Sequence, residues 1–309
     1  MGIDWRLYVG TLVATLIFFG LGVLVGIGLT REPTARRLEG QIRRLEDRLS
    51  RELGWRDERI RELEARLATT DRHWTTMQRW LTEALPILVD RRLMFRNIAL
   101  VVCAPDPDNG VIERVRETLL RAGAQVPATI TFQPDIIAAA DINAWRTAAR
   151  QLGLVVGDDV PEDALRAGVW KRLALLVRYG DTERRMNALT ALGWAKVAGN
   201  LTTPLGSAVV FVAFQQPREK EQVQAVDLPF VQALHNVGVR TVACETTTTQ
   251  NGSPVEWLRG TGIATVDHVD TPMGMVCVIA ALTGHPDHYG MKLPARTLLP
   301  PVNAFTPRP

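Results

Sequence analysis

The chain has 309 residues, a formal net charge of +3 and 46% hydrophobic residues. A chain of this length holds one or two folded units in addition to any membrane segment. The slight basic excess is not gathered into a lysine or arginine patch, so the sequence disfavours nucleic acid as a partner. The three cysteines, Cys103, Cys244 and Cys277, lie in apolar runs at long spacings. They fit neither a disulfide framework nor a C-x-x-C zinc site, and we expect buried thiols.

The stretch Leu7–Leu29 contains no charged side chain. As an α-helix it would be about 34 Å long, enough to cross a hydrocarbon core of about 30 Å. A cleaved signal peptide is the alternative, but its apolar core is usually shorter and ends in a small-residue cleavage site. We therefore predict an uncleaved transmembrane anchor over residues 1–31. Gly22 and Gly26 have the small-xxx-small spacing that permits close helix contact.

Residues 32–85 carry a heptad pattern typical of a coiled coil. The step from Leu49 to Leu53 adds four residues out of register, which locally unwinds a supercoil. A single amphipathic helix cannot bury this seam, so we expect self-association, most simply as a parallel dimer. The alternative is a helix folded back on the globular domain. The seam consists of Leu38, Ile42, Leu45, Leu49, Leu53, Ile60, Leu63, Leu67, Trp74, Met77 and Leu81.

Residues 86–293 alternate buried strands with amphipathic helices, a pattern that predicts a mostly parallel α/β sandwich domain. Pro86 interrupts the heptad pattern, and residues 85–96 form the predicted helical connection. Strands are predicted at 97–103, 125–132, 208–214, 239–244 and 263–267. Helices are predicted at 111–122, 135–152, 161–179, 222–237, 254–259 and 271–282, with residues 181–206 partly helical. The proline-rich tail 294–309 is predicted to be irregular or disordered.

The loop 104–110 follows the first strand and opens a helix, the position at which α/β proteins bind ligands. It contains Asp106 and Asp108, which would repel phosphate. The two carboxylates could chelate a cation or cap the helix. A hydrolase that uses them with His285 and His288 would lack an identifiable nucleophile, so we do not expect an enzyme.

The C-terminal region is rich in the thioether, thiolate and imidazole donors that Cu(I) prefers. Met275 and Cys277 lie in an apolar run, where core packing is the more common role. His285 and His288 occur in a polar loop and are the candidate metal ligands, with copper as the candidate metal. The donors fall within 24 residues and are His268, Met273, Met275, Cys277, His285, His288 and Met291.

The same region also has a structural interpretation. Asp267 and Asp270 precede Thr271-Pro272, so either carboxylate could cap the helix that begins there. Tyr289 and His285 could fix the following loop by hydrogen bonds. Both interpretations stay open from the sequence.

Three stretches together carry a resemblance to a known family. They are Leu100–Ile112 with Pro105-Asp106, Ala122-Gly123 followed by Ala128–Thr131, and Val266–Asp270 followed by Gly284-His285-Pro286-Asp287-His288-Tyr289-Gly290. In these, and in the order of its parts, the chain resembles the mycobacterial copper-transport protein B family of membrane-anchored envelope proteins. The resemblance implies a role in copper efflux or tolerance. It leaves open a coiled-coil scaffold or regulator of cell-envelope or septation enzymes that has no role with metals.

Arg6 precedes the apolar stretch, whereas six arginines lie between residues 31 and 48. Positive-inside counting would place the bulk of the chain in the cytoplasm. The resemblance implies the opposite side, and we expect a single-pass protein of the cell membrane with an extracytoplasmic globular domain. The expected partners are the lipid bilayer, further copies of the chain through the coiled coil, and other envelope proteins.

Overall fold

The computed structural model describes residues 5–157, 159–216, 218–249, 253–258, 260–292, 295–301 and 304, with the backbone alone at 5–7 and 28–39. The chain divides into two compact units, Met1–Trp74 and Thr75–Pro309. Helix α1 covers Trp5–Val89. The predicted helical connection 85–96 is helical only to Val89, and turns follow from residue 90 to residue 95. Half of the predicted irregular tail lies outside the described residues, and the described part 295–301 has no helix or strand apart from an isolated bridge at Thr297.

Within the first unit, the segment Tyr8–Ile27 is long and apolar enough to cross a membrane, and none of it is buried. An apolar helix of this kind near an N-terminus also occurs in signal sequences. The described seam residues between Ile42 and Leu67 are 45–62% exposed. Ion pairs four residues apart, such as Arg56–Glu52 and Arg66–Glu62, line the same helix.

The second unit contains a seven-stranded sheet with the order β3-β2-β1-β4-β5-β6-β7. All pairs are parallel except β2 with β3. The sheet confirms the predicted α/β class. The strands are β1 (Asn97–Val102), β2 (Gln125–Phe132), β3 (Ala195–Gly199), β4 (Ser207–Ala213), β5 (Arg240–Glu245), β6 (Ala264–Val266) and β7 (His288–Tyr289).

Helices cover both faces of the sheet. Since successive residues of a strand point to opposite faces, each central strand contributes side chains to both cores. In β1, Leu100 packs into a core with α1, α2 and α10, and Val101 packs into the core under α4, α5 and α8. The helices after α1 are α2 (Asn109–Arg121), α3 (Pro134–Ala138), α4 (Ile142–Gln151), α5 (Glu162–Tyr179), α6 (Asn187–Ala191), α7 (Lys220–Gln222), α8 (Leu228–Asn236), α9 (Pro254–Trp257) and α10 (Pro272–Thr283). A π-helical turn, Val223–Asp227, joins α7 to α8.

Three local predictions differ from the structure. The single helix predicted over 135–152 is two helices, because the Asp141 side chain accepts a hydrogen bond from the Ala144 N–H and starts α4. Residues 181–206 contain strand β3 as well as α6. The polar G-H-P-D-H-Y-G loop contains β7, whose His288 and Tyr289 pair with β6.

Candidate functional site

The loop that leaves β6 places Asp267 at the carboxyl edge of the sheet. Its Oδ1 accepts a hydrogen bond from the Met291 N–H at 2.8 Å, and its Oδ2 accepts one from the Lys292 N–H at 3.0 Å. A Cβ at Gly290 would lie 2.0 Å from Asp267 Oδ2, so only glycine permits this approach. Asp267 thus holds the segment after β7 against the end of β6.

His268 is fully buried next to this carboxylate. Its Nδ1 lies 3.0 Å from Asp267 Oδ1. Its Nε2 lies 4.0 Å from the Sγ of Cys277. In the neutral imidazole, an Nδ1–H that donates to Asp267 leaves the Nε2 lone pair directed at the sulfur. Burial raises the pKa of Asp267, but the hydrogen bonds from His268, Met291 and Lys292 outweigh it and hold this pKa below its ordinary value.

Helix α10 brings Cys277 to His268. The Thr271 hydroxyl accepts a hydrogen bond from the Gly274 N–H and caps the helix, and Pro272 begins it. A Cβ at Gly274 would lie 1.9 Å from the His268 carbonyl oxygen, so the first turn of the helix packs directly on the His268 backbone. Cys277 is in the next turn, and every residue from Met273 to Leu282 is buried. The prediction that Met275 and Cys277 are core residues is confirmed.

All three cysteines are free and buried, as predicted. Burial raises the pKa of the Cys277 thiol, and the negative charge of Asp267 raises it further. Burial also raises the pKa of the Cys244 thiol, with smaller effects from Cys277 and Glu245. Cys244 of β5 and Cys277 of α10 belong to the same hydrophobic core. Soft donors therefore concentrate where β5, β6 and α10 meet.

A buried ion pair lies beside this cluster. The Lys292 Nζ is 2.6 Å from Glu245 Oε1 and 2.9 Å from the Thr246 carbonyl oxygen. The Ser253 hydroxyl also donates to Glu245 Oε1. Burial raises the pKa of Glu245, although Lys292 and the hydrogen bonds lower it in part. The pair joins the end of β5 to the segment that follows β7.

The prediction that Asp267 or Asp270 caps α10 is wrong, because the Thr271 side chain performs this role. Asp270 instead accepts hydrogen bonds from the N–H and the hydroxyl of Thr247, at 2.8 and 2.5 Å. Asp267 is engaged by the turn after β7. Both acidic residues therefore tie loops together across the carboxyl edge of the sheet.

The predicted metal ligands lie in and before β7. His288 Nδ1 is 3.0 Å from the Thr265 hydroxyl. The Tyr289 hydroxyl donates to the His285 carbonyl oxygen at 2.7 Å, so the predicted loop-fixing hydrogen bond is present. Gly284 ends α10 in a left-handed conformation. Among the described residues, no group of three or more histidine, cysteine or acidic side chains has the spacing of a metal site.

The loop after β1 shows helix capping. Asp108 accepts a hydrogen bond from the Val111 N–H at the start of α2, as predicted for one of the two carboxylates. Asp106 Oδ2 instead accepts from the Gln216 N–H, and Pro105 is exposed. Strand β7 is four strands from β1 in the sheet. At about 4.8 Å per strand, His288 and Asp106 belong to regions about 19 Å apart. The fold does not assemble the four residues of the hydrolase alternative.

Sequence reasoning missed the pairing of His268 with Cys277 and that of Glu245 with Lys292. One signal was present for the first pair. His268 follows a buried parallel strand at its carboxyl end, where α/β proteins place functional side chains. The contact of Lys292 with Glu245 joins residues 47 positions apart and has no local sequence pattern.

Comparison with known proteins gives one family match. The family described as copper transport outer membrane protein, MctB, matches residues 2–300, nearly the whole chain. This confirms the family predicted from the three sequence stretches. A comparison with curated individual proteins gave no match.

Proposed function

Since the chain belongs to the copper transport outer membrane protein (MctB) family, we propose that it is a membrane-anchored, non-enzymatic envelope protein that acts in copper efflux or homeostasis. The observation that carries the proposal is the extent of the family match, which includes the apolar segment, the long helix and the α/β unit. A match confined to the α/β unit would have supported the fold alone.

The anchor is proposed to be the apolar part of α1. Tyr8–Ile27 provides 20 residues whose side chains are all accessible to a surrounding medium. At about 1.5 Å per residue this helix is about 30 Å long, the thickness of a bilayer core. The α/β unit is proposed to lie outside the cytoplasm, in keeping with the envelope location in the family description.

Orientation is tested by labelling intact cells. Thr70 is exposed on α1, and the three native cysteines are buried. A Thr70→Cys variant is treated with a membrane-impermeant maleimide before and after cell lysis. Labelling of intact cells is the expected result. Labelling only after lysis would place the part of the chain after the apolar segment in the cytoplasm. The unsubstituted chain is the control for background labelling.

Self-association through α1 is proposed from its exposed seam. Leu45, Leu49 and Leu63 are 58%, 58% and 45% exposed in the single chain. A row of leucines at heptad spacing is stabilised when a second helix covers it. Other envelope proteins are the further proposed partners, and the bilayer holds the anchor.

The absence of enzymatic activity is proposed from the placement of the candidate catalytic groups. Asp108 serves as a helix cap, Asp106 binds the loop after β4, and His288 contacts Thr265 in another part of the sheet. A general acid and base must lie within hydrogen-bond reach of one reacting group. These residues are distributed over the carboxyl edge of the sheet instead.

A deletion strain tests the copper role. We expect the strain to stop growing at a lower external copper concentration than its parent, and expression of the full chain to restore tolerance. Zinc tolerance is the matched control and should not change. Equal copper tolerance combined with altered cell shape or division would favour the scaffold alternative, in which metal has no part.

A further inference from the structure

We propose that His268 Nε2 and Cys277 Sγ bind one Cu(I) ion between them. This inference rests on the proposed role in copper handling, and it assigns the metal to a buried pair rather than to His285 and His288. At this pair an imidazole nitrogen and a thiol sulfur face each other, at 4.0 Å.

The separation suits a two-coordinate ion. Bonds from a first-row d¹⁰ metal are about 2.3 Å to sulfur and about 2.0 Å to nitrogen, so an ion on the line between them spans about 4.3 Å. The observed 4.0 Å requires a shift of a few tenths of an ångström. Zinc would need about four donors, and no group of three or more such side chains occurs among the described residues. Thiolate and imidazole are ligands that select Cu(I).

Asp267 prepares the imidazole for this role. A histidine that binds a metal almost always donates its other ring N–H to a carboxylate or carbonyl, which fixes the tautomer and ring orientation. Here Asp267 Oδ1 lies 3.0 Å from His268 Nδ1. Asp267 is itself fixed by the N–H groups of Met291 and Lys292. The carboxylate is thus anchored independently of any metal.

Binding of Cu(I) at this pair is a balanced exchange of one proton for one metal ion. Binding breaks the S–H bond of Cys277, forms Cu–S and Cu–N bonds, and releases one proton to solvent, with no change in oxidation state. The thiolate and Cu(I) together carry no net charge, which suits a buried apolar site.

The segment 295–301 packs against Cys277, whose thiol donates to the Leu298 carbonyl oxygen. The Leu298 carbonyl oxygen lies 3.6 Å from Cys277 Sγ, and the Leu298 side chain is 42% exposed. Thr297 holds the segment by its carbonyl, which accepts from the Gly290 N–H, and by its hydroxyl, which donates to Asp287.

The test is Cu(I) titration of the purified full-length protein in detergent under anaerobic conditions, with a coloured Cu(I) chelator as competitor. We expect one ion per chain. Cys277→Ser and His268→Gln should each lower the affinity at least 10-fold, and Asp267→Asn about 10–100-fold. Cys103→Ser, a buried thiol of the other core, and the double variant His285→Ala/His288→Ala should retain wild-type affinity.

X-ray absorption of the copper-loaded wild type gives a result that does not depend on variant folding. One sulfur and one nitrogen neighbour are expected. Absence of stoichiometric Cu(I), nitrogen-only coordination, or loss of binding in the His285/His288 double variant would each overturn the proposal. If the protein does not bind Cu(I) at this pair but the deletion strain is sensitive to copper, the site is wrong and the proposed function stands. If the protein binds Cu(I) at this pair but the deletion strain tolerates copper normally, the site stands and the proposed function is wrong.

Discussion

Lys292 and Glu245 are 47 residues apart in the chain, and the Lys292 Nζ contacts Glu245 Oε1 at 2.6 Å. Glu245 is completely buried, whereas the Lys292 side chain is 24% exposed. The lysine thus offsets the burial of a charge at the end of β5. The pair also fixes the segment that Asp267 holds through its backbone. Two acidic residues of neighbouring strands therefore determine where the chain passes after β7.

Replacement of Lys292 by methionine should destabilise the α/β unit by about 3 kcal/mol at neutral pH, because it leaves Glu245 buried without its cation. The measurement is chemical unfolding of the full chain in detergent, followed by tryptophan fluorescence. Lys220→Met, at an exposed lysine, should change the stability by less than about 0.5 kcal/mol. Equal effects of the two substitutions would contradict the ion-pair account.

The pH dependence of the Lys292→Met variant has a definite sign. Burial raises the pKa of Glu245 above its ordinary value, and loss of the lysine raises it further. A carboxyl group whose pKa is raised in the folded state favours folding at low pH, and this contribution is lost as the pH rises. The difference in free energy of unfolding between the wild type and the variant should therefore become smaller as the pH falls toward about 4. A deficit that is constant between pH 4 and 7 would argue against a buried, charged Glu245.

Asp267→Asn should lower the stability by about 1–3 kcal/mol at neutral pH, because an amide cannot reproduce the acceptor role of both carboxylate oxygens. The pKa of Asp267 is below its ordinary value in the folded protein. Its contribution is therefore present above about pH 4 and is lost as the pH falls further. As the pH falls below about 4, the free energy of unfolding of the variant should decrease less steeply than that of the wild type. Asp135→Asn, at an exposed position, is the control and should keep the wild-type acid profile.

Close backbone packing predicts opposite effects of two glycine substitutions. Gly274→Ala would place a methyl group 1.9 Å from the His268 carbonyl oxygen. Such overpacking costs about 1–3 kcal/mol. Gly54→Ala lies on α1, where an added Cβ meets nothing within 4 Å, and should stabilise the helix by about 1 kcal/mol. Thermal unfolding monitored by circular dichroism distinguishes them. A neutral Gly274→Ala would contradict the close contact between α10 and His268.

Leu63→Asp should reduce self-association of the full chain in detergent, because a charge at a seam position opposes burial of that seam. Ala65→Asp changes the same helix at an outer heptad position and should leave the association state unchanged. Light scattering coupled to size-exclusion chromatography measures both. A monomeric wild-type protein, or equal effects of the two substitutions, would remove the proposed coiled-coil assembly.

Elements that form a continuous apolar run or a regular apolar pattern were predicted correctly from the sequence. The run 97–103 is apolar and β-branched, and β1 is buried from Ile98 onward. Strand β3 escaped prediction because it lies at the sheet edge and only Ala195 of its five residues is buried. Strand β7 has two residues, which pair with β6 and, through an isolated bridge from Tyr289, with Thr297. Neither strand carries enough local pattern to be recognised.

The candidate site was harder to predict than the fold, because its contacts are distant in sequence. Asp267 precedes a helix, so capping was the local interpretation. Its backbone partners, Met291 and Lys292, are 24 and 25 residues away. The pairing of His268 with Cys277 depends on the contact of Gly274 with the His268 carbonyl oxygen. Such a close approach results from tertiary packing, and the spacing of residues along the sequence does not predict it.

The cellular copper content of the deletion strain tests the proposed function most directly. Cells are grown in copper below the inhibitory concentration, and copper, zinc and iron are measured by mass spectrometry. A role in copper efflux predicts several-fold more copper in the deletion strain than in the strain that expresses the full chain, with equal zinc and iron. Equal copper in the two strains would contradict it.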